Sequence, residues 1–155
     1  MSAVTLLPAS AAESLYVMGD RLRFAGALPP GDVVLLEVEV PPGSGTPLHR
    51  HASPELFRVL EGEVTFATGE GSRVAVAGDV LSVASDAPHG YANPSTAPAR
   101  MLVVLDRAMA AFFREIGSPA PMDGPPGPED FARIGAACAR HGITLLGGPP
   151  PGQAA

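Results

Sequence analysis

Four side chains in this sequence have the types and the spacing to hold a metal ion. His49 and His51 stand one residue apart, Glu55 follows four residues after the second, and His89 lies in a separate Pro88-His89-Gly90-Tyr91-Ala92-Asn93 cluster. On an extended strand His49 and His51 point to the same face, roughly 6–7 Å apart along the backbone. Their imidazoles can then converge on one ion at about 2.0–2.2 Å each. Glu55 shares their parity, although Pro54 interrupts the ladder just before it. His89 is expected from a non-adjacent strand, which only closure into a barrel brings round. Three imidazoles and one carboxylate suit Fe, Mn, Ni, Co or Zn better than Mg or Ca. An octahedral ion so held keeps about two positions open for substrate, water or dioxygen. A His-x-His pair alone is often polar surface on an exposed strand. Its coincidence with Glu55, His89 and the glycines Gly43, Gly62 and Gly78 is what makes it a candidate site.

The elements that must position these residues are short and β-rich from Ser14 to about Leu105. Leu15–Met18 and Arg21–Ala25 are expected as the first strands, joined at Gly19-Asp20, and Pro29-Pro30-Gly31-Asp32 marks a turn. Val33–Val40 alternates Glu37 and Glu39 against Val38 and Val40, as a strand with one wet face does. Leu56–Leu60 and Glu63–Ala67 flank Glu61-Gly62, which predicts a tight hairpin. Arg73–Ala77 and Val80–Val83 flank Gly78-Asp79 in the same manner, and Ala99–Leu105 is a long apolar run. About eight short strands at regular spacing predict an all-β sandwich or barrel and not a βαβ fold.

The texture changes after Asp106. A helix is expected over about 107–116, with Met109, Phe112, Phe113 and Ile116 on one side, and a second over about 129–141, opened by Pro128, Glu129 and Asp130. Gly117–Pro128 is a Pro/Gly-rich link, and the tail from Gly147 to Ala155 is expected to fray. The division predicted is a barrel over 1–105 and a helical extension over 106–155. Phe112 and Phe113 are expected to dock the first helix on the barrel. His141 is expected as an end-cap, Cys138 as packing, and Arg50 and Arg58, of the wrong parity, as solvated or interfacial.

Composition narrows the function classes. All ten basic residues are arginine, so a lysine Schiff base or lysine general base is excluded. A net charge of -6 without a basic run argues against nucleic acid and anionic membranes as partners. One cysteine cannot form an internal disulfide, and no apolar run approaches the roughly 20 residues that span a bilayer, so a cytoplasmic protein is expected. With aromatics at only 5% the core has to be built from Val, Leu and Ala. Phe57 and Tyr91 share the ligands' parity, so with Phe66 and Asn93 they are candidates for the substrate pocket. The competing roles are filling the barrel for the aromatics and turn or ligand-supporting hydrogen bonds for Asn93.

Gly43-x5-His49-x-His51-x3-Glu55-x6-Gly62 resembles the complete first motif of the cupins, and Gly78-x10-His89-x3-Asn93 resembles the second. Ala84 and Asp86 stand where a proline and a glycine are usual, in the turn before the His89 strand. The resemblance covers about Val33–Leu105. It implies a cupin (double-stranded β-helix, jelly-roll) barrel with the two helices packed outside, a homodimer, and one divalent metal held by His49, His51, Glu55 and His89. The layout as a whole is similar to small single-domain cupins of the quercetin 2,3-dioxygenase-like kind. In that likeness Glu55 removes a proton from a flavonol hydroxyl, and the substrate then reacts with dioxygen. Two alternatives stay open: a metal-dependent isomerase, cyclase or lyase without oxygen chemistry, and a non-catalytic binder of a small ligand.

Overall fold

The computed structural model describes residues 4–147, so most of the expected frayed tail lies outside the described residues. In chain order the strands are β1 (Ser14–Val17), β2 (Asp20–Leu28), β3 (Val33–Val40), β4 (His49–Arg50), β5 (Glu55–Glu61), β6 (Glu63–Thr68), β7 (Gly71–Val76), β8 (Val80–Val83), β9 (His89–Ala92) and β10 (Ala99–Asp106). The helices α1 (Arg107–Ile116) and α2 (Pro128–Arg140) follow, then a short β11 (Thr144–Leu145). They build two antiparallel sheets, ordered β1-β2-β3-β10-β5-β8 and β11-β4-β9-β6-β7.

One core fills the space between the sheets. On β3 the residues Val34, Leu36, Val38 and Val40 are buried, while the intervening Glu37 faces out to ion pairs with Arg23 and Arg100. β10 alternates in the same way, burying Ala99, Met101, Val103 and Leu105. From the opposite sheet β6 contributes Val64 and Phe66, and the Phe57 and Phe66 rings meet edge-to-face across the gap at 5.3 Å. Burial of these alternating faces is the dominant force holding the sheets together.

The two tight hairpins expected at Glu61-Gly62 and Gly78-Asp79 are not hairpins. β5 pairs with β10 and β8, whereas β6 pairs with β9 and β7, so the chain changes sheet at both places. The turn chemistry is the same for either outcome: Gly62 (φ 74) and Gly78 (φ 99) supply the left-handed backbone. What decides is that β5 and β6 both carry an apolar face, and crossing over lets those faces bury each other. At Gly62 a Cβ would lie 2.9 Å from the Pro98 carbonyl oxygen, which admits only glycine. β2 also runs past the expected end at Ala25 to Leu28, because a register shift between Phe24 and Gly26 absorbs the apparent break. β11 was not expected; two residues leave no periodicity to read.

The Asp106 carboxylate caps α1 by accepting from the Met109 N–H at 3.0 Å, and the Asp130 carboxylate accepts from the Gly127 N–H at the start of α2. His141 is the C-cap of α2, and its imidazole and Arg140 both pair with Glu115 of α1. The helices do more than sit on the outside. Phe112 and Ile116 of α1 and Ile134 of α2 line the same cavity as Val38 and His49 of the sheets, so the helices close one end of the barrel.

Candidate metal centre

The three histidines come from one sheet and the glutamate from the other. His49 on β4 is the direct cross-strand partner of His89 on β9, so the strand distant in sequence is the immediate neighbour in space. His51 lies just past the end of β4. The segment leading into β4 is strapped to β9 by Gly43 N–H to Asn93 O (2.7 Å), Thr46 N–H to Tyr91 O (2.8 Å) and Asn93 N–H to Ser44 O (2.9 Å). Glu55 opens β5 in the facing sheet, opposite Val83. The result is a cluster in which one ring nitrogen of each of His49, His51 and His89 lies within 4.8 Å of the others. Glu55 Oε2 sits 3.0 Å from His89 Nε2 and 3.7 Å from His51 Nε2.

Hydrogen bonds fix two of the tautomers. His49 Nδ1 is 2.8 Å from the Pro47 carbonyl oxygen and His89 Nδ1 is 2.9 Å from that of Ala87. A carbonyl only accepts, so Nδ1 carries the proton in both rings and Nε2 presents the lone pair, the arrangement common to metal-ligating histidines. Both ring nitrogens of His51 are buried without a hydrogen-bond partner. An orphaned buried nitrogen costs free energy unless something fills the coordination. The His89 and Glu55 acceptors are also close enough that only a shared cation, a proton or a metal ion, makes their contact attractive. The donor set therefore fits a divalent transition ion.

Electrostatics prepare two of the rings as neutral ligands. Burial, reinforced by the neighbouring His89 and His51 imidazoles, lowers His49 to about 4 despite the Pro47 carbonyl. His51 is likewise lowered by burial, against the opposing field of Glu55. Burial also acts to lower His89, but its hydrogen bonds to Glu55 and to the Ala87 carbonyl, with the glutamate charge, outweigh it and leave its pKa raised. The unusual turn before His89 is accommodated: Asp86, standing where the second motif has glycine, adopts φ 61 and its N–H donates to the His51 carbonyl at 2.8 Å. Aspartate is among the residues that tolerate this backbone.

The cluster borders a cavity of about 300 Å³, at the small end of the range for ligand pockets. His49, Glu55 and His89 line it, and the rest of its wall is mainly apolar, from Leu36, Val38 and Val103 among others. No arginine lines it among the described residues. Phe57 and Tyr91 line this cavity. Phe66 and Asn93 do not, and both assignments are corrected. Phe66 is fully buried behind the wall, stacking edge-on with Phe57 and Tyr91. Asn93 has 0% exposure and faces the backbone: Nδ2 donates to Val40 O (3.0 Å) and Ala97 O (2.8 Å), and Oδ1 accepts from the Ser95 N–H and hydroxyl. Asn93→Leu strands these backbone groups and is expected to cost about 2–4 kcal/mol in urea unfolding while leaving bound metal unchanged.

Phe112 and Phe113 reach the cavity as well as docking α1, and Cys138 lines it with a thiol whose pKa burial raises. Arg50 and Arg58 are exposed. One residue escaped the sequence reasoning altogether. Asp20, the first residue of β2, is buried and lines the cavity, accepting hydrogen bonds from the Ser44 hydroxyl and from Tyr91 Oη at 2.5 Å. The available signal was parity, since Asp20, Leu22 and Phe24 alternate with Arg21 and Arg23.

Burial raises the Asp20 carboxyl from 3.8 to about 6, against the lowering effect of the Ser44 and Tyr91 hydrogen bonds. The folded chain thus keeps this proton through the window from about pH 4 to 6 in which the unfolded chain has released it. Its stabilising contribution is full below the unfolded value and is lost as pH rises through about 6. Asp20→Asn removes that dependence. Between pH 3 and pH 8 the stability difference between variant and wild type is expected to move in the variant's favour by about 3 kcal/mol, read by urea unfolding at each pH.

Comparison with known proteins adds the following. Residues 36–105 match the family model described as a cupin domain. No curated protein matches the chain in sequence. Among solved structures, the chain is similar to a sugar phosphate isomerase of the cupin superfamily from Silicibacter pomeroyi, with 28% identity and a TM-score of 0.52 over 57% of this chain and 60% of that one. The chain thus spans under two thirds of that protein's length. It is similar also to the polyketide cyclase RemF from Streptomyces resistomycificus (22% identity, TM-score 0.57, 66% and 79% covered). A third is an RmlC-like cupin from Shewanella frigidimarina (18% identity, TM-score 0.62, 71% and 96% covered). The last two likenesses are of fold.

Proposed function

From the cupin fold, with its cupin-domain match over residues 36–105, we propose that the chain is a metal-dependent enzyme acting on a small phenolic or enolic molecule, and that its reaction is a flavonol-type dioxygenation. The observation that carries this is the place of Glu55, whose Oε2 lies 3.0 Å from His89 Nε2 at the edge of an apolar cavity. His49, His51 and His89, with Glu55, would hold the ion; bound there, Fe, Mn, Ni, Co or Zn supplies Lewis acidity toward a substrate oxygen. Glu55 is the base within reach of a hydroxyl seated at the histidine end. It takes the hydroxyl proton onto its carboxylate, and the fixed Nδ1 hydrogen bonds of His49 and His89 hold the surrounding rings in place while it does so. The apolar walls exclude water from the resulting oxyanion.

The similarity to a sugar phosphate isomerase supports the enzyme class, but its substrate class is not carried over. A phosphate group asks for cationic side chains, and no arginine lines this cavity. Proton removal by Glu55 serves an enolisation equally well, so an isomerase or cyclase without oxygen chemistry is the second reading. A homodimer in the cytoplasm completes the proposal. The homodimer draws support from the exposed apolar Val74, Val76 and Val80 on the edge strands β7 and β8.

Oxygen consumption by protein loaded separately with Fe(II), Mn(II), Ni(II) and Co(II), given quercetin, tests the reaction. Uptake that follows one metal and disappears in His89→Ala is the expected result. Full metal occupancy without uptake would replace the dioxygenase by the isomerase or cyclase class, and a chain that binds quercetin but no metal would be a binder.

A further inference from the structure

The cavity has a second polar station that the histidine cluster does not use. Asp20 is 3% exposed, yet none of the cationic side chains among the described residues forms an ion pair with it. Its two oxygens each accept one hydrogen bond from a neutral donor, Ser44 and Tyr91, which leaves further lone pairs in a wall of the cavity. A buried carboxylate served only by two hydroxyls is costly, and a site that bears such a cost has room for a third donor. Tyr91 ties this station to the metal cluster: it lies two residues after His89 on β9, on the same face and roughly 6–7 Å along the strand. The Phe57 ring stands 6.3 Å from both the Tyr91 and the His89 rings, as an apolar floor between the two stations.

We propose that Asp20, held by Ser44 and Tyr91, is a substrate-binding residue that accepts a hydrogen bond from a hydroxyl at the end of the substrate remote from the histidines. The substrate class is thereby narrowed to flat, largely apolar ring systems that carry an oxygen function at each end. One oxygen meets the His49, His51 and His89 cluster beside Glu55. The other, bearing a proton, meets Asp20. This refines the phenolic substrate proposed above and rests on that proposal, but it does not require that the reaction consume oxygen.

The test is a binding measurement on the full chain with its metal content assayed, comparing 2-naphthol with 2,6-dihydroxynaphthalene by calorimetry. Wild type is expected to bind the dihydroxylated ring system about ten-fold more tightly, the effect of one added hydrogen bond to a carboxylate. Asp20→Ala and Asp20→Val, which both lack an acceptor, should bring the two affinities within about two-fold of each other, with metal content and 2-naphthol binding retained. Two substitutions are used so that the result stands if one of them folds poorly. Equal affinities in wild type, or a preference that survives in the variants, would overturn the assignment. A failure of the oxygen-uptake experiment leaves this comparison intact, so the two proposals fail separately.

Discussion

Glu55→Gln is expected to retain bound metal within about two-fold of wild type and to lose turnover by at least about a hundred-fold, the lower range for removing a general base. The substitution keeps the shape and one acceptor oxygen of the side chain. What it removes is the ability to take a proton next to His89. Glu55 is 7% exposed and contacts both His51 and His89, so the chain offers no other carboxylate at that end of the cavity among the described residues. Metal assay and turnover on the same samples separate the roles. Parallel loss of metal and activity would make Glu55 a structural ligand and not a base.

The second large effect concerns His51. Its two buried nitrogens lack hydrogen-bond partners, and Nε2 stands 3.7 Å from the Glu55 carboxylate, which leaves its coordination open to an ion. His51→Ala is expected to weaken metal binding by at least about a hundred-fold, above the range for losing a partner that merely supports a ligand. Thermal melts give an independent reading. A ligand at about a hundred times its dissociation constant stabilises the native state by about 2.7 kcal/mol, so added metal should raise the melting temperature of wild type and leave His51→Ala where it was. The metal-free forms should differ far less, since the variant loses an unsatisfied polar group along with its packing. A variant that still responds to metal as wild type does would remove His51 from the site.

The sequence revealed the site more fully than its surroundings. His49, His51, Glu55 and His89, which the fold brings together, were legible as a group because their residue types stand at fixed spacing, and β3 because Glu37 and Glu39 alternate with buried valines. The sheet crossings after β5 and β7 were not legible: Gly62 and Gly78 signal a turn, and only long-range pairing decides which sheet receives the next strand. Asn93 and Phe66 show the same limit on a smaller scale. Both are buried beside β9, Phe66 on the neighbouring β6 and Asn93 just past its end, but whether a buried side chain meets a cavity or the backbone depends on what closes the barrel end. Here α1 and α2 close it, which brings Phe112, Phe113 and Cys138 to the cavity from more than a dozen residues beyond the last ligand. Asp20 was hidden for another reason. A single aspartate after glycine in a turn carries no motif, and its burial depends on Ser44, from the segment between β3 and β4, and Tyr91, from β9, folding over it.

The measurement that bears most directly on the metal centre is a calorimetric titration of metal-free protein with Co(II), run beside a variant in which His49, His51 and His89 are all alanine. One ion per chain should bind to wild type, with protons released at low pH as His89 gives up its own, and none should bind stoichiometrically to the variant. Absence of stoichiometric binding to wild type, or equal binding to both proteins, would contradict a metal centre built from these residues.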